Sequence, residues 1–256
     1  MKRVKTIALN TFKETIRNKV LYSVIFFLIL ILSLSFILGR FTMGDTNKFV
    51  ANFGFAGVEL LGVIISIVIG IGLIYNEIQK KTIFTIISKP IKRWEIITGK
   101  FLGLSLTIFV QEFIMLIILF LFIIIAGGKI PLSYITASFL IYCELMIIVS
   151  VSIFFSTFSS PILSGFLAFT IYFIGQSIEY LKDIINETEL SSVNKYIIDF
   201  FYYLLPNLHN LNIKNEVVNG VTLPASYISN SIIYAVAYIL FMILTSTIIF
   251  ERKQFY

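Results

Sequence analysis

Six runs of about twenty predominantly apolar residues dominate the chain, at roughly 20–39, 58–75, 101–126, 132–158, 161–178 and 228–250. At about 1.5 Å of rise per residue, a helix of that length matches a hydrocarbon core about 30 Å thick. None of the runs alternates apolar and polar positions as a barrel strand does, and open sheet edges have no place in lipid. All six are therefore expected to be transmembrane α-helices. Only Ser159 and Ser160 separate the fourth run from the fifth. Pro161 disfavours helix at the residue before it and suits the first turn of the helix after it, which predicts a tight hairpin. The first run is about as long as a bilayer is thick and no small-residue cleavage pattern follows it, so it is expected to remain as a span.

Weaker periodicities lie between the runs. In residues 1–19, Val4, Ile7, Ala8, Phe12 and Ile16 recur at spacings of three and four among Lys and Arg. This predicts an amphipathic elbow helix at the membrane interface, bent into the first span. In residues 76–100, Ile83, Ile86 and Ile87 form one short apolar face and Trp94, Ile97 and Phe101 another, with Ser88-Lys89-Pro90 between them. Two short amphipathic helices with a proline corner are expected there. Within 179–227, Tyr196, Phe200, Phe201, Leu204 and Leu205 share a helical face. They predict an interfacial helix before the sixth span, with a small packed cap as the alternative.

Composition and charge set the environment. The 256 residues are 58% hydrophobic and only 13% charged, with a mean hydropathy of +0.94, whereas about a quarter of a soluble domain is charged. The net charge of +6 does not mark a nucleic-acid partner, because the basic residues flank apolar runs instead of gathering on a soluble domain. With six alternating spans, fourteen Lys and Arg fall on the side of the termini and the 76–100 segment, and six on the other. The positive-inside rule then predicts a multi-pass plasma-membrane protein with both termini and that segment in the cytoplasm. One cysteine, Cys143, and one histidine, His209, give no basis for a disulfide framework or a zinc or haem site.

The chain carries no phosphate-binding loop, no His-Glu-x-x-His and no nucleophile elbow, so any nucleotide energy must come from another chain. Polar chemistry inside the spans is confined to a few positions. Gln111 and Glu112 lie in the third run and Glu144 in the fourth. A carboxylate at mid-bilayer costs about 3 kcal/mol on insertion scales, so these acids should face protein, line a water-filled path or carry a proton. They are candidates for a substrate path, and a polar clamp between helices is the structural alternative. Glu59, near the outer end of the second run, reads as interfacial. Gly70, Gly72, the Gly99-x-x-x-Gly103 pair and Ser164-Gly165 permit close helix approach. Two further function classes suit these features: an intramembrane or lipid-modifying enzyme with Glu112 and Glu144 as an acid pair, and a membrane scaffold coupling an ATPase to an outer partner.

The 76–100 segment also carries a recognisable order of residues: Glu77, then Lys80-Lys81-Thr82, then Ser88-Lys89-Pro90-Ile91-Lys92-Arg93-Trp94-Glu95-Ile96-Ile97-Thr98-Gly99-Lys100. It resembles the cytoplasmic loop between spans two and three of ABC transporter permeases of the type-2 exporter family. The basic N-terminal helix, Ser156-Thr157-Phe158-Ser159-Ser160-Pro161, Leu205-Pro206-Asn207 and Phe250-Glu251-Arg252-Lys253-Gln254-Phe255 extend the likeness along the chain. The chain is similar to the six-span subgroup that includes the permease serving nitrous-oxide reductase maturation. The resemblance implies an all-α membrane protein whose loop contains a coupling helix. It further implies a permease homodimer docked on two copies of an ATP-binding subunit, which use ATP and magnesium while the permease itself binds no cofactor and is not an enzyme. By position it assigns ATPase coupling to Glu77, Thr82, Ser88, Lys89, Pro90, Arg93, Glu95, Gly99 and Lys100, and export or extracytoplasmic handling of an unidentified substrate to the whole.

Overall fold

The computed structural model describes residues 2–41, 46–79, 92–187, 202 and 204–252, with backbone alone at 73–79 and 181–187. Helices α1 (Lys2–Ile16) and α2 (Lys19–Phe41) are followed by α3 (Thr46–Gln79), α4 (Arg93–Ile125), α5 (Leu132–Ser156) and α6 (Pro161–Glu187). A 3-10 turn (His209–Leu211), a short α7 (Lys214–Val218) and the last span α8 (Ala225–Arg252) complete the chain. Six of these, α2 to α6 and α8, are long and apolar enough to cross a membrane. No strand occurs among the described residues.

Helix ends follow local chemistry. Asn18 caps α2, its side-chain oxygen accepting from the Val20 N–H at 3.1 Å, so the chain breaks between α1 and the first span. Gly127, at φ 83°, closes α4. There the Gly128 and Gly127 N–H groups return to the Ile123 and Ile124 carbonyls, which otherwise end the helix unpaired. The turn between α5 and α6 is tight: Ser159 N–H donates to Phe155 O and Ser164 N–H to Ser160 O.

The second span departs from expectation. It begins at Thr46, not near residue 58, because Val50, Ala51, Phe55 and Val58 bury one continuous face across the polar positions Asn47, Lys48 and Asn52. The Thr46 hydroxyl donates to Gly39 O at 3.0 Å, which joins the ends of α2 and α3. Of the expected proline-broken pair, Trp94, Ile97 and Phe101 form no separate short helix: they open α4, which runs unbroken from Arg93 into the third span. Ile83, Ile86, Ile87 and Ser88-Lys89-Pro90 lie outside the described residues. The apolar face of Tyr196, Phe200 and Phe201 likewise lies outside them.

Two helices form the centre of the bundle. Of the membrane windows of α3 and α5, 78% is buried, against 22–33% for the other four spans. Lipid offers no hydrophobic drive for helix association, so close packing at small residues must supply it. A Cβ on Gly62 would stand 2.7 Å from Leu145 Cδ1, and one on Gly70 would stand 2.7 Å from Ser152 Cβ, so α3 and α5 meet along these glycines. Gly54 performs the same service toward Leu32 of α2 and Leu119 of α4. The serines of α5 do not weaken this core: Ser150 and Ser152 donate to the Ile147 and Ile148 carbonyls of their own helix.

Helix α1 lies against the start of α4. Val4, Ile7, Ala8, Thr11 and Thr15 turn toward it, and Thr11 and Thr15 are buried. The seat is the Gly99-x-x-x-Gly103 pair. A Cβ at Gly99 would stand 2.8 Å from Ile7 Cβ, and one at Gly103 would stand 2.6 Å from both Ala8 O and Thr11 Cβ. Because the obstacle at Gly103 includes backbone, Gly103→Leu should push α1 off α4 and cost about 1–3 kcal/mol. Thermal unfolding in detergent and protease cleavage within α1 measure both effects; an unchanged melting temperature with α1 still protected would contradict this packing.

Candidate functional site

Of the residues expected to couple the ATPase, those that the structure describes make contacts within the chain itself. Glu95, in the first turn of α4, is buried and its Oε2 accepts the Lys92 N–H at 2.9 Å, so it caps its own helix. Arg93 reaches across to the end of α8, where its Nη1 donates to Phe250 O at 2.7 Å and Glu251 O at 2.9 Å. Its guanidinium also lies 6.0 Å from the centre of the Phe250 ring. A cation on the last carbonyls of a helix is favoured both by hydrogen bonding and by the helix dipole. Gly99 belongs to the α1 seat, Lys100 is buried beside it, and Trp94 is exposed. Glu77 lies on the last turns of α3, while Thr82, Ser88, Lys89 and Pro90 lie outside the described residues.

A second polar cluster sits deep in the bundle and gathers residues from four elements. Glu59 of α3 accepts at Oε1 from Tyr172 OH (3.0 Å) and Gln176 Nε2 (2.9 Å) of α6, and from Asn212 Nδ2 (3.0 Å). Its Oε2 is paired with the ammonium of Lys214, the first residue of α7. The Gln176 amide also donates to Glu144 Oε1 of α5 at 2.7 Å, and its own oxygen accepts from Asn212 at 3.3 Å. Glu59 and Glu144 are 2% and 0% exposed. Each lies about three to four turns from the start of its helix. Glu59 is thus not interfacial: the early start of α3 carries it inward, and its neighbours convert it into the centre of a network.

The chain from Pro206 onward is folded down to reach this cluster. Gly175 makes room, since a Cβ there would stand 2.5 Å from Pro206 O, and the Leu208 N–H donates to Gly175 O at 3.1 Å. Asn207 N–H donates to Tyr234 OH, while Tyr227 OH and Ser231 Oγ donate to Asn210 O, which fastens the turn to α8. Leu208, Leu211, Ile213, Val217 and Val218 are buried beneath it. Irregular backbone at this depth is tolerated because protein covers it.

Gln111 and Glu112 part company. Gln111 Nε2 donates to Leu21 O at 3.3 Å and clamps α4 to α2. Glu112 is 4% exposed, and its Oε1 has no hydrogen-bond partner. No hydrogen bond joins Glu112 to Glu144, so the two acids do not form a shared pair. Among the described residues no three His, Cys, Asp or Glu side chains come together as a metal site. Sequence reasoning missed Tyr172, Gln176, Asn212 and Lys214. The i, i+4 spacing of Tyr172 and Gln176 inside an apolar run was the one available signal; nothing marked Lys214 as inward-facing.

The model of the ABC-2 family transporter protein family matches residues 5–255, nearly the entire chain. The chain belongs to that family, and so is the membrane-spanning permease subunit of an ABC transporter, working with an ATP-binding partner subunit. A comparison with curated proteins finds no match.

The Glu59–Lys214 pair makes a direct prediction. Breaking a buried ion pair from one side leaves an uncompensated charge, so Lys214→Met should lower stability by about 3 kcal/mol or more. Adding Glu59→Gln should recover part of that loss, since the stranded charge is removed. Unfolding of the single and double variants in detergent measures this; a double variant less stable than Lys214→Met would contradict a charge-balanced network.

Proposed function

We propose that this permease exports its substrate, or drives its extracytoplasmic handling, as a homodimer on two ATP-binding subunits. Both termini and the 76–100 segment face the cytoplasm, where α1 acts as the elbow helix. That segment docks the ATPase through a coupling helix with Glu77, Thr82, Ser88, Lys89 and Pro90, and ATP and magnesium are used in the partner. The likeness to the nitrous-oxide reductase maturation subgroup belongs to the same proposal.

The observation that carries the reading is the set of contacts at the start of α4. Arg93, immediately after the docking segment, holds the end of α8, and Gly99 and Gly103 hold α1. A displacement delivered to the loop therefore reaches three helices together, as rigid-body transmission requires. Positive charge alone would orient a loop without providing such a linkage.

A second reading has its own support: the permease does mechanical work on an outer partner. Asn212 and Lys214 tie the outer segment to Glu59, and Gln176 extends the tie to Glu144, so relative motion of α3, α5 and α6 moves that segment directly. ATPase stimulation in liposomes separates the readings, since a transported lipid, peptide or ion raises turnover by itself while a mechanical device needs its outer partner. The enzyme alternative has no comparable support, because Glu112 and Glu144 are not joined.

Arg93→Glu tests the linkage. It removes two charge-assisted hydrogen bonds, each worth about 1.5–3 kcal/mol, and sets an anion against the carbonyls of α8. Coupled activity should fall about tenfold or more, while membrane insertion and ATPase binding persist. Coupled activity at the wild-type level would refute the proposed path of force.

A further inference from the structure

We infer that the groove between α4 and α5 at Glu112 binds the cationic head of an amphiphile that enters from the bilayer. As a statement about transport this rests on the permease reading; as a statement about binding it stands alone.

The groove is formed where two helical faces converge. Phe109, Glu112, Phe113 and Leu116 of α4 recur at spacings of three and four, as do Ile135, Ser138, Phe139 and Tyr142 of α5, and together they line a space of about 150 Å³. Phe109, Phe113, Ile135 and Phe139 are about half exposed, so the groove opens on the outer apolar surface of the bundle. Ligands can therefore reach it laterally from lipid.

Its floor holds an unmet electrostatic demand. Glu112 is buried, its Oε1 is enclosed without a partner, and it makes no hydrogen bond or ion pair among the described residues. The polar neighbours are committed elsewhere: Ser138 Oγ donates to Tyr134 O at 2.8 Å, and Tyr142 OH is engaged with Ser105. Gln111, the adjacent residue, already serves as the interhelical clamp. A structural role for Glu112 would require a donor within the bundle, and the structure supplies none there. Acids in spans are costly unless they are paired or carry a proton, and a cation brought by a ligand to this groove would supply the partner that the bundle does not.

The aromatic lining narrows the chemistry. Phe109 meets Tyr142 edge to face at 5.6 Å between centroids and lies stacked on Phe113 at 6.4 Å. Ring faces beside a carboxylate favour an ammonium group, which gains from both, whereas an anionic head is repelled by Glu112. A cavity of about 150 Å³ holds a group the size of benzene. That accommodates a small ammonium head, with its alkyl chain lying outward along the exposed phenylalanines.

The test is equilibrium dialysis of radiolabelled dodecyltrimethylammonium against the full-length permease in a non-ionic maltoside detergent, with detergent alone as the blank. Wild-type protein should bind it saturably, and dodecyl sulfate should not compete. Glu112→Gln should weaken binding about tenfold, the scale of one charge-assisted contact. Phe113→Ala, at the exposed rim and so tolerated by the fold, should weaken it about threefold through the lost ring. Absence of saturable binding to wild type, as when a second copy of the chain covers the groove, overturns the proposal. So does equal competition by dodecyl sulfate, or undiminished binding in both variants. If Glu112→Gln does not fold, the wild-type charge preference and Phe113→Ala decide the matter. Because no ATP is involved, failure here is distinct from failure of the Arg93 linkage.

Discussion

Two charges drawn out of water attract strongly only where the rest of their hydrogen-bonding capacity is also met, and the Glu59 carboxylate paired with Lys214 fulfils that condition deep in this bundle. Three donors converge on the carboxylate oxygen that the ammonium does not take, one of them reaching on to Glu144. The arrangement fixes more than itself. Asn212 and Lys214 can reach Glu59 only if the chain after Pro206 descends along α6 at Gly175, and that descent is what pins the 3-10 turn and α7 among α3, α5 and α6. A pair of this kind adds little net stability compared with apolar packing, yet it strongly penalises every arrangement that separates the partners. The segment from Pro206 to Val218 is therefore held in one register on the spans.

At the opposite end, the linkage is made by backbone and small residues. Gly99 and Gly103 allow α1 to lie on α4 at contact distance, and Arg93 closes the end of α8 by donating to carbonyls that the helix cannot satisfy internally. These contacts tolerate sliding poorly. A glycine seat loses its fit over fractions of an ångström, and a guanidinium on two carbonyls is directional. The two ends of the bundle thus share a design in which α4 gathers helices near the termini while the network around Glu59 gathers those near the segment after Pro206.

The spans were legible because bilayer thickness imposes their length, and the hairpin at Ser159-Ser160-Pro161 because proline acts locally. The start of α3 was not: Asn47, Lys48 and Asn52 lower the local hydropathy, although the helix needs only one buried face there, supplied by Val50, Ala51 and Phe55. Nor could hydropathy find the centre. The central helices α3 and α5 are less apolar than the peripheral α2 and α4, since they carry the glycines and serines that close packing in lipid demands. Ranking the spans by hydrophobicity does not single out the core, because the peripheral α8 matches α3 and the peripheral α6 is less apolar than either central helix. Of the site, Gln111, Glu112 and Glu144 were visible as polar residues in apolar runs, but Lys214 lay among outer lysines and Glu59 near an apparent span end. Their meeting is a fact of tertiary structure, set by how far α3 extends and where the chain after Pro206 turns.

The buried carboxylates then separate by how their demands are met. Glu59 has an ammonium and three further donors. Glu144 has the shared Gln176 amide on one oxygen and none on the other. Glu112 has no donor and stands at the floor of an outward-opening groove. A protein that needed all three only for cohesion would gain by replacing the last with an apolar side chain, as its surroundings of phenylalanine and leucine would accept one. The presence of an acid where the fold does not satisfy it is the strongest reason to connect Glu112 with something outside the fold. The same logic assigns Glu59 to architecture, and leaves Glu144 between them, joined to the network through one oxygen and lacking a partner at the other.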